Sequence, residues 1–384
     1  MSTLLKYMPI FRVRPQETKV LKSFDFGERI YPCLEIVKEL DRVNSEKKEN
    51  PQISLFGSKK EKSFEDVYIP IIKSIKANKV FIDLPVHLPQ SRNTKPPTLL
   101  FLRTIVTNRE KRTEYLKKLK PVASKIIPVI SSYLQINGEG DSISLQEKEI
   151  RNDFKTIAFR TFIETFHQDI QQIKKSVKPY DYIIMDFENN ELDKTDGDIQ
   201  DIVEDFKNLN CNIVIHHNQI PEDITMTGLN HGNMIDTIDN SLPYIFKQFA
   251  GHCFSDYVGI KKDNITSGGV ISPGFLFYDA VTNNFFGFRY KNGGHKKGET
   301  KPDLIEFETT IVPAVIGSKS TERMQSDSLD YLGVGNKGWE IISNIQLGEN
   351  NGGESGKSPA KFKRISMEHY LHCIKLKISN GDFD

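Results

Sequence analysis

Four residues able to carry acid–base or metal chemistry, Glu35, Asp83, Asp186 and His216, stand near the downstream ends of four short β-rich runs. Arg12, Arg160 and Lys261 close three further runs, and Glu188 follows Asp186 by two positions. Successive strand residues face opposite ways, so Asp186 and Glu188 are expected on one face, with only one of His216 and His217 joining them. Carboxylates gathered in one place raise each other's pKa and need an offsetting charge. A Mg²⁺ or Mn²⁺ ion bound by hard oxygen ligands would supply it. That arrangement suits metal-assisted hydrolysis or phosphodiester chemistry. The catalytic set would be Glu35, Asp83, Arg160, Asp186, Glu188 and His216, with Arg12 and Lys261 binding substrate. Alternatively, one carboxylate is a general base and Arg160 holds an anionic substrate. The architectural counterpart is an Arg–Asp network that closes the end of the fold without chemistry.

Eight runs would position these residues: Tyr7–Arg12, Tyr31–Ile36, Val80–Pro85, Ile126–Ser131, Thr156–Thr161, Tyr182–Glu188, Asn212–His217 and Asp256–Lys261. Near-continuous apolar character indicates strands buried on both faces. Eight such units separated by amphipathic stretches predict a TIM-type (β/α)8 barrel, whose usual length is about 250 residues and whose chemistry lies at the strands' C-terminal ends. The alternative is an open doubly wound sheet, with its ligand site at a strand-order reversal. The barrel is expected over residues 1–262, with a C-terminal α+β extension over 263–384 packing against it. Proline is poor inside a central strand, so the strands holding Pro9, Pro32 and Pro128 are expected to begin at or after them.

Ser63 and Asp66 form a capping-box pattern at the start of a helix. Helices are also expected over residues 99–119, 168–177, 199–209 and 242–249. The polar insert 38–63 is a lid or a surface loop. Residues 274–280 and 285–290 flank Thr282-Asn283-Asn284 and read as a β-hairpin. Helices are expected near 303–315, 329–345 and 365–375. His87, His167, His231 and His295 read as loop or surface residues, and His369 and His372 as packing residues.

Across 384 residues the net charge is +1, so bulk charge gives no argument for nucleic acid or a membrane surface. The basic stretch 109–120 reads as a solvated helix face, and with Lys361–Arg364 it would be the contact surface of a nucleic-acid binder. Cys33, Cys211, Cys253 and Cys373 include no CxxC pair, which argues against a structural zinc site. The N-terminus lacks a signal-peptide core, and no apolar stretch approaches a membrane span. A reduced, cytoplasmic protein is the simplest expectation. Two glycine motifs mislead. Gly352–Ser358 resembles a phosphate-binding loop, but Asn351 stands where its first glycine should be and Pro359 follows directly. Gly333–Gly338 matches GxGxxG without a preceding strand and reads as a break between helical pieces.

The opening YMPIFRVRPQETKVLKSF and the IYPCLEIVKE that follows, with Glu17 early in a helix and Pro32–Glu35 ending a strand, resemble the phage beta-protein family. Val80–Leu84, Ile127–Ile130, Ala158–Arg160, Ile183–Asp186, Phe254–Tyr257 and Ser358–Tyr370 extend the resemblance along nearly the whole chain. It implies a phage or prophage association and a role in an immunity or defence module. It carries no established reaction. The partner expected on this basis is a protein from the same operon or a phage protein.

Overall fold

The computed structural model describes residues 5–39, 62–87, 94, 96–262, 274–290, 305–346 and 359–384. Eight parallel strands close into a barrel. In chain order they are β1 Tyr7–Arg12, β2 Cys33–Glu35, β3 Val80–Asp83, β4 Ile126–Ser131, β5 Ala158–Phe162, β6 Tyr182–Asp186, β7 Asn212–His216 and β8 Cys253–Asp256. The expected (β/α)8 barrel is therefore present, and the open sheet is excluded because β1 pairs with both β2 and β8.

Closure follows from a two-residue rhythm. Met8, Ile10, Cys33, Phe81, Ile127, Val129, Ala158, Ile184, Val214 and Cys253 form one apolar cluster, which includes no residue of the surrounding helices. Their strand neighbours, among them Phe11, Leu34, Ile82, Ile130, Phe159, Ile183 and Phe254, belong to the second, larger cluster with the helices. The first set fills the barrel and the second seats the helices on it, as period-2 alternation requires.

Two expectations about strands are corrected. Pro9 and Pro128 lie inside β1 and β4 rather than at their starts. β1 pairs with β8 through Tyr7–Pro9 and with β2 through Ile10–Arg12. β4 pairs with β3 through Ile126–Pro128 and with β5 through Val129–Ser131. Each proline sits where pairing passes from one neighbour to the other, a position set by the barrel's stagger. The eighth strand begins three residues earlier than the run Asp256–Lys261. Val258 and Gly259 adopt left-handed backbone angles (φ 59° and 63°), which end it.

The covering helices include α1 Pro15–Ser23, α2 Phe64–Ser74, α3 Pro96–Thr107, α4 Arg109–Lys117, α5 Ser142–Ile150, α6 Phe166–Ser176 and α7 Gly197–Lys207. The Ser63–Asp66 capping box forms at α2. The single helix expected over 99–119 is two, because the Asn108 side chain accepts from the Lys111 amide and starts α4 afresh. The 242–249 segment is one short α turn followed by a 3₁₀ turn.

The hairpin forms as β9 Gly274–Asp279 and β10 Asn284–Arg289, with Asn233–Met234 adding a short third strand. Beyond it lie α8 Lys319–Asp327, α9 Lys337–Gln346 and α10 Pro359–Asn380. α10 is longer than the 365–375 expected and is largely buried. It joins the hairpin through Ser366 Oγ, which donates to the Leu276 carbonyl at 2.7 Å, and His369 Nε2, 2.7 Å from the Tyr278 carbonyl. It reaches the barrel through Tyr370, whose hydroxyl donates to Asp256 at 2.8 Å. His369 stacks on Phe277 (centroids 4.5 Å apart, 9° between planes), so it packs as expected. The GxGxxG match follows a 3₁₀ turn at Leu329–Leu332 and runs into the first turn of α9. Most of the 38–63 insert and the Gly352–Ser358 motif lie outside the described residues.

Candidate functional site at the barrel mouth

The interior parity continues upward into a polar layer. Each strand contributes a residue: Arg12, Glu35, Asp83, Ser131, Arg160, Asp186, His216 and Ser255, with Tyr257 just past β8. All nine are buried. Each stands two, or for Tyr257 four, positions beyond an apolar residue of the barrel interior. Strand parity brings these groups together.

Arg160 is the hub. Its Nη1 lies 2.6 Å from Asp83 Oδ2 and 3.1 Å from Glu35 Oε1, while Nε and Nη2 lie 3.0 and 2.6 Å from Asp186 Oδ2. One guanidinium therefore ties β2, β3 and β6 to β5. Arg12 Nε donates to Glu35 Oε2 at 3.0 Å, and the Tyr257 hydroxyl donates to Glu35 Oε1 at 3.0 Å. Arg112 reaches in from α4. It donates to Asp83 Oδ1 at 3.1 Å, to the Leu84 and Val129 carbonyls and to Gln146. Three carboxylates thus meet three guanidiniums, and the pairing neutralises their formal charges.

The electrostatics follow from this pairing. Burial alone would raise the Glu35 carboxyl, but the nearby His87 imidazole and the Arg12 and Arg160 guanidiniums outweigh it and hold the carboxyl well below its usual range. Asp186 is likewise held low against burial by His216 and Arg160. Burial pushes His216 down to about 3, which keeps its ring neutral. His216 Nδ1 lies 3.0 Å from Ser255 Oγ, whereas its Nε2 stands 3.8 Å from Asp186 Oδ1, beyond hydrogen-bond reach. Burial raises Glu188, reinforced by the charge on Asp186.

The expected residues do not all join the network. Glu188 lies past the end of β6 with φ 49°, so the strand alternation expected to align it with Asp186 does not extend to it. Its backbone amide donates to Asp186 Oδ1 at 2.8 Å, and its carboxylate lies 3.7 Å from Lys262 Nζ. Lys261 stands apart: its ammonium donates to the Glu222 carbonyl and, at 2.9 Å, to the Ile224 carbonyl. Arg160, expected as an anion clamp, has its guanidinium filled by protein carboxylates. His87, expected as a loop or surface residue, does lie in the loop after β3, but its side chain is only 8% exposed and lies 3.5 Å from Glu35. Sequence reasoning missed Ser131, Ser255, Tyr257 and Arg112. Ser131 ends its run at the position equivalent to Asp83, which was the available signal.

The carboxylate set does not fit a Mg²⁺ or Mn²⁺ ion. The oxygens that would coordinate it already accept hydrogen bonds from guanidiniums, Tyr257 or a backbone amide. Among the described residues no group of three or more His, Cys, Asp or Glu side chains is arranged to hold a metal. The stretch 109–120 is not a bare basic face either. Arg109 pairs with Glu139 and Glu149, Arg112 is buried, Lys111 meets Glu114 and Lys120 meets Asp153. No described helix is long and apolar enough to cross a membrane.

No curated protein matches this sequence. The model of the Beta protein family matches residues 7–374, which include all eight strands, the polar layer and most of α10, and the chain belongs to that family.

Proposed function

We propose that this protein acts by recognition, as a component of a phage-associated immunity or defence module. Its barrel is a rigid platform that binds a protein from the same operon or a phage protein. The observation that supports this most directly is the closed ion network. Buried carboxylates at the mouth are matched by Arg12, Arg112 and Arg160 rather than left to act on a substrate or metal. A buried network of this kind fixes strand positions. The paired charges of α4 weigh against the nucleic-acid reading.

A second reading, hydrolysis by acid–base chemistry, is favoured by one detail. His216 Nε2 and Ser131 Oγ are buried without a hydrogen-bond partner. A neutral imidazole so placed has the form of a general base.

Phage plating in cells carrying the native gene neighbourhood separates the two readings. His216→Asn keeps a side-chain amide in place of the ring. On the recognition reading the folded variant protects as wild type does. A general base contributes about 100-fold or more, so a loss of protection on that scale in a variant with an unchanged thermal melt would overturn it.

A further inference from the structure

At the end of the barrel opposite the mouth, each strand from β1 to β6 is preceded by a cation: Lys6, Arg29, Lys79, Lys125, Lys155 and Lys178. Lys6 and Arg29 meet Asp384. The other four, joined by Lys76 just past α2, are different. Among the described residues none of these five side chains meets a carboxylate. The acids of the region are committed elsewhere: Asp153 to Lys120, and Glu147 and Asp181 to Arg151. Asp25 and Glu28 border the lysines on the β2 side, and Asp25 lies 3.8 Å from Lys375. The lysines are also close together. Burial and the Lys155 charge both lower Lys79, and burial lowers Lys125. Lys155 stands 5.7 Å from the centre of the Tyr180 ring. Pro179 and Tyr180 project beside it, Tyr180 at 40% exposure. Like charges held side by side repel until something of opposite sign approaches. An exposed tyrosine among them, apolar in its ring and polar at its tip, is a common anchor of protein interfaces.

We infer that this floor, from β3 to β6, is the surface on which the acidic face of a partner protein docks. Docking here rests on the recognition reading and puts the contact at the far end of the barrel from the ion network. Charge complementarity identifies the partner by its aspartate and glutamate carboxylates, with Tyr180 as the apolar anchor. A nucleic-acid strand fits less well. The arginines of this end, Arg29 and Arg151, are held by Asp384, Asp181 and Glu147. Tyr31 and Tyr182, whose rings help to fill the bottom of the barrel, are 7% and 6% exposed and offer no face for a base to stack on. The lysines follow an arc of strand entrances rather than a continuous track.

The test is fluorescence anisotropy of the full chain with a labelled polyglutamate peptide and with a labelled single-stranded oligonucleotide of equal charge. Wild type is expected to bind the peptide saturably, and less tightly as salt rises. Lys76→Glu/Lys155→Glu/Lys178→Glu is expected to weaken binding by about tenfold or more. Lys19→Glu/Lys111→Glu/Lys194→Glu makes the same change in net charge on exposed side chains of α1, α4 and the loop before α7, and should cost less than about threefold. No saturable binding, equal losses in the two variants, or tighter binding of the oligonucleotide would each overturn the inference. Acetylation of wild-type lysines, read by mass spectrometry, covers the case of a misfolded variant. The peptide should slow modification of Lys76 and Lys155 relative to Lys111, and an unchanged ratio counts against the surface. Phage plating in the native gene neighbourhood then separates the two readings. A folded floor variant that protects as wild type does sinks docking at this surface and leaves recognition standing. A wild type that gives no protection sinks the recognition reading, and the peptide titration alone then decides whether the floor takes an acidic protein.

Discussion

Arg160 holds the mouth together because its planar guanidinium reaches three carboxylates on three strands at once, which a lysine's single ammonium could not match. Removing such a group leaves its partners charged and buried. Arg160→Met fills much of the volume but supplies no donors, so we expect a loss of about 3–5 kcal/mol in urea unfolding. A loss under about 1 kcal/mol would mean that water or the remaining arginines take over its role. Glu35, Asp83, Asp186 and Arg160 were legible in the sequence because each ends an apolar run at the same parity. Tyr257 was not, because its place in the interior depends on where β8 ends. Arg112 was not, because it enters from a helix outside the barrel, within a stretch whose charge pattern reads as solvated. His87 lies beyond its strand, where alternation no longer predicts which way a side chain points.

At the scale of elements, the barrel's strands were readable to within a few residues because one apolar rhythm both fills the interior and seats the helices. Their ends were less so: backbone reversals at Glu188 and Val258, in left-handed conformations that non-glycine residues seldom adopt, cut two strands short. The glycines of 333–338 show what a motif match misses. Gly338 opens the first turn of α9, and a Cβ there would sit 2.4 Å from the Ile365 carbonyl oxygen and 2.8 Å from the His369 amide nitrogen of α10. Its role is therefore close helix packing. Helix propensity alone would make Gly338→Ala stabilising by about 1 kcal/mol. Backbone atoms of α10 cannot yield as a flexible side chain can, so we expect destabilisation of about 1–3 kcal/mol. The sign of the change in the denaturation midpoint decides between these views, and a more stable variant would show that the two helices separate at little cost.

At the scale of the whole molecule, histidine burial makes stability depend on pH. Burial lowers His87, His216, His217, His252, His369 and His372, with His216 brought to about 3 and His369 to about 4. The unfolded chain takes up these protons near pH 6.5 and the folded chain does so only at lower pH. Between those values the unfolded state binds more protons, so stability is full above about pH 6.5 and falls as pH drops below it. Asp256 opposes the trend. Burial raises it to about 6 despite hydrogen bonds from Tyr7 and Tyr370, so its contribution grows as pH falls below that value. Glu188 and Asp169, likewise raised by burial, act in the same sense, and the three carboxyls offset only part of what several histidines lose. At pH 5.5, His216 and His369 should each cost roughly 1.4 kcal/mol relative to pH 7.5. Glu35 and Asp186, held low in the fold, add their own loss only at more acid pH, where unfolded carboxylates begin to protonate. Urea unfolding at the two pH values should therefore show a clear loss on acidification. His216→Asn/His369→Gln, whatever its absolute stability, should recover close to 3 kcal/mol of the difference between them, about twice the single-group value. A double variant with the wild-type pH dependence would place the proton uptake on other groups and separate the stability of this barrel from the neutral imidazole at its mouth.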